Sequence, residues 1–149
     1  MSDAAAQRSG ELFKSGYYCA ESVLLAIAEA KGIQSDLIPG IATGFCSGMA
    51  RTCGVCGAVS GGIMGISLLI GRSSPDESVE ENYAAVQKLL SAFEDKFGST
   101  NCYELIACDL NIREGQEIYE ANNLDEQCKR YTEEATRLAM QLLSNKGKK

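Results

Sequence analysis

Apolar residues return at helical spacing along most of the chain. From Tyr17 to Lys31 they fall at Cys19, Val23, Ala26, Ile27 and Ala30, and Gly32 follows where a helix-ending glycine belongs. Cys19 is therefore expected to face inward. Ser74-Pro75-Asp76-Glu77 combines a capping serine, a proline at the first helical position and a glutamate at the third, predicting the start of a long helix. Its apolar face reads Val79, Tyr83, Val86, Leu90, Phe93 and Phe97, and it ends at Gly98. Three further starts share an N-x-x-E pattern, at Asn101 to Glu104, Asn111 to Glu114 and Asn123 to Glu126. The last opens a helix striped by Cys128, Tyr131, Ala135, Leu138 and Leu142. No alternating strand with hairpin chemistry appears. The expected fold is all-α, a single domain over residues 1–149 built as a compact bundle of about six helices.

Gly40 to Gly71 breaks the rhythm, holding nine of the fifteen glycines. Within it, Cys56 to Ile70 has no charge and no proline, and Gly57, Gly61 and Gly65 recur every fourth residue. On a helix that spacing makes one bare stripe, which lets another backbone or a cofactor approach closely. The uncharged run Thr52 to Gly71 nears the length of a membrane span, but its glycines and its amphipathic neighbours favour a buried central helix.

Composition then narrows the chemistry. The 149 residues hold seven cysteines and neither histidine nor tryptophan. Without histidine there is no Ser-His-Asp or Cys-His nucleophile, no imidazole-held zinc and no imidazole proton shuttle. A net charge of -6 argues against nucleic acid or anionic lipid as a partner. The one basic cluster, Lys146, Lys148 and Lys149, reads as a frayed tail. The polar, alanine-rich start from Met1 to Gly10 has no signal-peptide pattern, so a cytoplasmic protein with reduced or metal-bound thiols is expected.

Cys46, Cys53 and Cys56 lie in one glycine-rich stretch, with Cys102, Cys108 and Cys128 further on, which points to metal-thiolate or dithiol chemistry. Cys53 and Cys56 stand at the start of the glycine-striped helix and Cys102 follows a capping asparagine, positions where backbone N–H groups and the helix dipole favour a thiolate. For any single cysteine, above all Cys19 or Cys128, core filling is the plain alternative.

Gly16-Tyr17-Tyr18-Cys19-Ala20, Cys56-Gly57-Ala58-Val59-Ser60-Gly61-Gly62, Phe97-Gly98-Ser99-Thr100-Asn101-Cys102 and Cys128 in a closing helix occur in order over nearly the whole chain. The pattern resembles the prokaryotic redox-active protein family named for its C...GCAxxG...C...C signature. Val55 stands where the signature has glycine, and Gly57 intervenes before Ala58. The resemblance implies an all-helical redox domain whose recurrent cysteines are Cys19, Cys56, Cys102 and Cys128. A similar domain accompanies the haem-binding part of split-Soret cytochromes, where an iron-sulfur centre has been suggested. Cys46, Cys53 and Cys108 fall outside the signature.

An iron-sulfur cluster on Cys19, Cys56, Cys102 and Cys128 is thus the leading expectation, with glycine-segment N–H groups, Gly57 and Gly61 among them, and Arg51 beside it. Zinc on the same thiols, a metal-free dithiol couple at Cys53 and Cys56, and a glycine-groove binding module are the alternatives. A redox partner protein is implied, no membrane span is expected, and a homodimer is left open. Glu80 with Glu81 and Glu133 with Glu134 read as solvated faces, and Tyr17 and Tyr18 as packing residues.

Overall fold

A computed structural model of the chain describes residues 1–146 and is all-helical. Gly147, Lys148 and Lys149 lie outside the described residues, and with them most of the expected frayed tail. The elements in order are α1 (Ser2–Lys14), α2 (Cys19–Ala30), a 3-10 turn (Gly40–Phe45), α3 (Cys46–Arg51), α4 (Gly57–Ile70), α5 (Glu80–Phe97), α6 (Cys102–Ile106), α7 (Arg113–Ala121) and α8 (Leu124–Lys146). Among the described residues there are eight helices where about six were expected. The difference arises where the pattern was faint: α1 offers mostly alanine, serine and glycine on its buried face, and α3 is a single turn. No described helix is long and apolar enough to cross a membrane.

α4 is the central helix, and its glycines explain how. A Cβ on Gly61 would stand 2.8 Å from the Ala20 carbonyl oxygen and 2.9 Å from Val23 Cβ, and one on Gly65 would overlap Ile27. The stripe therefore seats α4 directly on α2, while α8 and α5 cover its other sides. Val23, Ile27, Val59, Ile66, Leu89 and Phe93 are fully buried where these helices meet. α1 lies along α8, tied by Lys14–Glu126 at 2.5 Å and Arg137–Asp3 at 2.8 Å, and it reaches α2 through Arg8–Glu29 at 2.9 Å. Exposed pairs of this kind orient the helices more than they stabilise them.

Local readings needed four corrections. Ser74 to Glu77 does close a turn, in which Glu77 accepts from the Ser74 amide at 3.2 Å, but α5 starts at Glu80. The buried stripe of α5 runs through Ala85, Leu89 and Phe93, leaving Tyr83 exposed, because it is α4 and α8 that choose the face. Asn101 caps α6 by accepting from the Glu104 amide at 3.1 Å, whereas α7 is preceded by Ile112 and Asn111 instead donates to Asp109 at 2.9 Å. Glu134 is buried rather than solvated, held between Lys96 at 3.1 Å and Arg137 at 2.7 Å.

Candidate functional site

Four helix beginnings meet at one place. Cys19 is the first residue of α2, Cys56 immediately precedes α4, Cys102 is the first residue of α6, and Cys128 lies near the start of α8. All four side chains line a single cavity of about 160 Å³. Cys56 is buried, and the other three are half-buried.

A short antiparallel clamp sets two of them. The Cys56 amide donates to Thr100 O at 2.8 Å, the Cys102 amide to Gly54 O at 2.8 Å, and the Asn101 side chain to Cys53 O at 2.9 Å. Gln127 donates to Leu105 O at 2.8 Å and Tyr131 to the same oxygen at 3.3 Å, which fastens α6 to α8 and so Cys102 relative to Cys128. Tyr131 is braced from behind by Phe93 and Phe97, with ring centroids 5.9 and 4.8 Å away. At the start of α2, Glu21 accepts from the Tyr18 amide at 3.0 Å and from Thr43 at 2.6 Å, joining the 3-10 turn to the Cys19 end.

α3 closes another side with unusual backbone. Ser47, Gly48, Met49, Ala50 and Arg51 all have φ between 55° and 68°, so the turn is left-handed. Non-glycine residues adopt that form at a cost of about 1–2 kcal/mol each. Local hydrogen bonds hold it: Gly48 O accepts from the Gly54 amide at 2.9 Å, and Thr52 Oγ1 donates to Met49 O at 2.7 Å. A Cβ on Gly48 would come 2.6 Å from Cys102 Cβ, which explains glycine there. The turn brings Ser47, Gly48 and the exposed Arg51 to the cavity wall.

Cys56, Cys102 and Cys128 are not pre-ionised, against what a position near a helix start suggests. Burial pushes Cys56 up to about 12, against the pull of the Ala58 and Val59 amides. Burial pushes Cys102 and Cys128 each up to about 11, and neighbouring cysteines add to the shift. A short helix terminus carries a partial charge, and desolvation of a whole charge outweighs it. Tyr119 faces Cys128 with its hydroxyl and draws that thiol partly back down.

The remaining sequence candidates divide. Gly57 and Arg51 line the cavity, while Gly61 is turned to α2. Cys53 does not line the cavity; it faces Asp109, near Cys102 and Cys108. Cys108 and Cys46 are buried and do not line the cavity, but Cys108 lies near Cys102 and Cys128 and Cys46 lies beside Cys19. Tyr119, Gln116 and the apolar wall of Leu105, Ile106 and Leu110 were not anticipated, since nothing in α6 and α7 marks residues that are gathered only by folding. Among the described residues no three Cys, Asp or Glu side chains stand close enough to clasp a single ion.

Fold and site together define a small all-helical protein with a partly open cavity lined by four thiols. The model of the family described as putative redox-active protein (C_GCAxxG_C_C) matches residues 17–142, and the chain belongs to that family. No curated protein and no solved structure matches it.

Proposed function

We propose that the chain is an electron-transfer protein whose cavity holds an iron-sulfur cluster on Cys19, Cys56, Cys102 and Cys128. The observation carrying this reading is the convergence of these four sulfurs on one cavity with no carboxylate in its lining. Such a donor set suits soft, thiolate-bound iron better than ions that seek carboxylate oxygen. The four cysteines line a cavity of about 160 Å³, room that suits a polynuclear group better than a single zinc ion. When bound, the cluster supplies a one-electron couple.

The chain's own residues supply the surroundings. Ala58 and Val59 direct backbone N–H groups at the Cys56 sulfur, and hydrogen bonds to cluster sulfur raise the reduction potential. Arg51 places a cation against a thiolate set that burial otherwise disfavours. Leu105, Ile106 and Leu110 keep water from the interior face, and a redox partner protein is the natural donor or acceptor. A dithiol couple at Cys53 and Cys56 has less support, because Cys56 faces the cavity, Cys53 faces Asp109, and both thiols are pushed up rather than down.

Protein purified without oxygen tests the reading. It should be brown, with visible charge-transfer absorption and iron matched by acid-labile sulfide. Colourless protein with stoichiometric zinc overturns it in favour of a structural site. Colourless, metal-free protein with reversible thiol oxidation overturns it in favour of the dithiol couple.

A further inference from the structure

We propose that Cys19 and Cys46 form a reversible disulfide that removes Cys19 from the cavity's thiol set. The pairing stands on geometry alone, and only its consequence for the cavity rests on the function proposed above. Cys46 lies outside the four-cysteine signature, yet the fold sets it beside the first of those cysteines.

Cys19 packs against both buried clusters, the large one around the cavity and a smaller one made of Ala20, Leu24, Ala42 and Cys46. Gly57 marks the junction. A Cβ there would overlap Cys19 Sγ and stand 3.2 Å from Cys46 Cα. The Cys19 sulfur and the Glu21 amide in the first turn of α2 are near enough to act electrostatically on the Cys46 thiol. It also lies 3.7 Å from the Ala42 carbonyl. Cys19 Sγ and Cys46 Cα thus crowd one point beside Gly57, near enough for the two sulfurs to bond after side-chain rotation.

Exposure assigns the roles. Cys46 is only 3% exposed, while Cys19 is half-buried and opens into the cavity. Cys19 therefore meets the oxidant and Cys46 resolves. With a low-molecular-weight disulfide as oxidant, the Cys19 sulfur attacks one of its sulfurs, the small S–S bond breaks, and one thiol leaves carrying the Cys19 proton. The Cys46 sulfur then attacks the mixed disulfide at Cys19, and the second thiol leaves with the Cys46 proton. The protein loses two electrons and two protons, and the small disulfide gains both. Excess thiol reverses the exchange.

The chain is convenient for mapping the bond, because trypsin releases Cys19 in residues 15–31 and Cys46 in residues 32–51, each the sole cysteine of its fragment. Reduced, metal-free protein is exposed to oxidised glutathione, its remaining thiols are alkylated, and the digest is read by mass spectrometry. The two fragments should appear joined as the main intramolecular link and separate on reduction. Cys46→Ser should instead retain glutathione on Cys19, and Cys46→Ala repeats the arm with an apolar residue at this buried position. Linkage elsewhere with Cys19 and Cys46 both alkylated, or glutathione persisting on Cys19 in the wild type, overturns the pairing. In anaerobic, cluster-loaded protein, Cys46→Ser should bleach several-fold more slowly in oxidised glutathione than the wild type, and equal bleaching overturns the consequence for the cavity. Failure to load any cluster would count against the proposed function and leave the fragment result standing.

Discussion

Gly61→Ala against Gly62→Ala separates the packing of α4 on α2 from a general effect of glycine in a helix. A methyl at Gly61 would meet α2 at 2.8 Å from Ala20 O, 3.0 Å from Ala20 Cα and 2.9 Å from Val23 Cβ. Two of these atoms are backbone, and none is the free end of a long side chain. Moving α2 would also disturb Cys19 at its start. Overpacking typically costs about 1–3 kcal/mol, and a contact that cannot yield belongs in the upper half of that range. Alanine returns about 1 kcal/mol of helix propensity, leaving a net loss of about 1–2 kcal/mol. At Gly62 the nearest atom is Leu89 Cδ2 at 2.9 Å, the end of a rotatable side chain, and the next lie 3.8 Å away. There the propensity gain offsets the contact, and Gly62→Ala should be neutral or slightly stabilising. For a chain of this size each kcal/mol moves the melting temperature by about 2–4 °C. Helical circular dichroism on heating should therefore show Gly61→Ala melting about 2–8 °C below the wild type and Gly62→Ala at or above it. Equal melting of the two variants would show that the glycine stripe does not seat α4 on α2.

Cys56→Ser or Cys102→Ser should abolish metal loading or redox cycling while Cys108→Ser preserves it, and equal tolerance at all three would reduce the thiols to core residues. The folded pKa values of about 12 for Cys56 and about 11 for Cys102 and Cys128 lie above the unfolded value of 9.0. Their contribution to the stability of metal-free protein is therefore complete below pH 9 and lost as pH rises through the folded values. The melting temperature should fall between pH 9 and 11, and a flat profile there would refute the burial of these groups. Tyr119→Phe removes the hydroxyl facing Cys128, so alkylation of Cys128 should slow at fixed pH; an unchanged rate, read by mass spectrometry, would place the tyrosine elsewhere.

Much of the architecture was written locally. The period of apolar residues from Cys19 to Ala30 is a property of neighbouring positions, as are the glycine at Gly98, which adopts φ 90° after α5, and the capping of α6 by Asn101. The four-residue spacing of Gly57, Gly61 and Gly65 likewise announced a helix that another backbone could touch. α1 escaped notice because its buried Ala5, Ala6, Ser9 and Gly10 carry little hydrophobic contrast, and its face is chosen by α8.

The four signature cysteines were visible in order along the chain, but their meeting at one cavity depends on where four helices begin in space. The thiolate character expected of Cys56 and Cys102 from their positions in the sequence is also overturned in the fold. Position at a helix start is a local property that favours the anion, whereas desolvation by Leu105, Tyr131 and the other walls is a tertiary one, and the second is larger. The left-handed turn of α3 was not legible in the sequence: Ser47, Met49, Ala50 and Arg51 have no intrinsic preference for positive φ, and local hydrogen bonds from Gly54 and Thr52 together with the packing of Gly48 on Cys102 hold it. Sequence by itself announced most of the helical segments and the order of the cysteines that the family resemblance singles out. Only packing decided that Cys56 looks into the cavity while Cys53, three residues earlier, looks toward Asp109, because side-chain direction there is set by the clamp between residues 53–56 and 100–102.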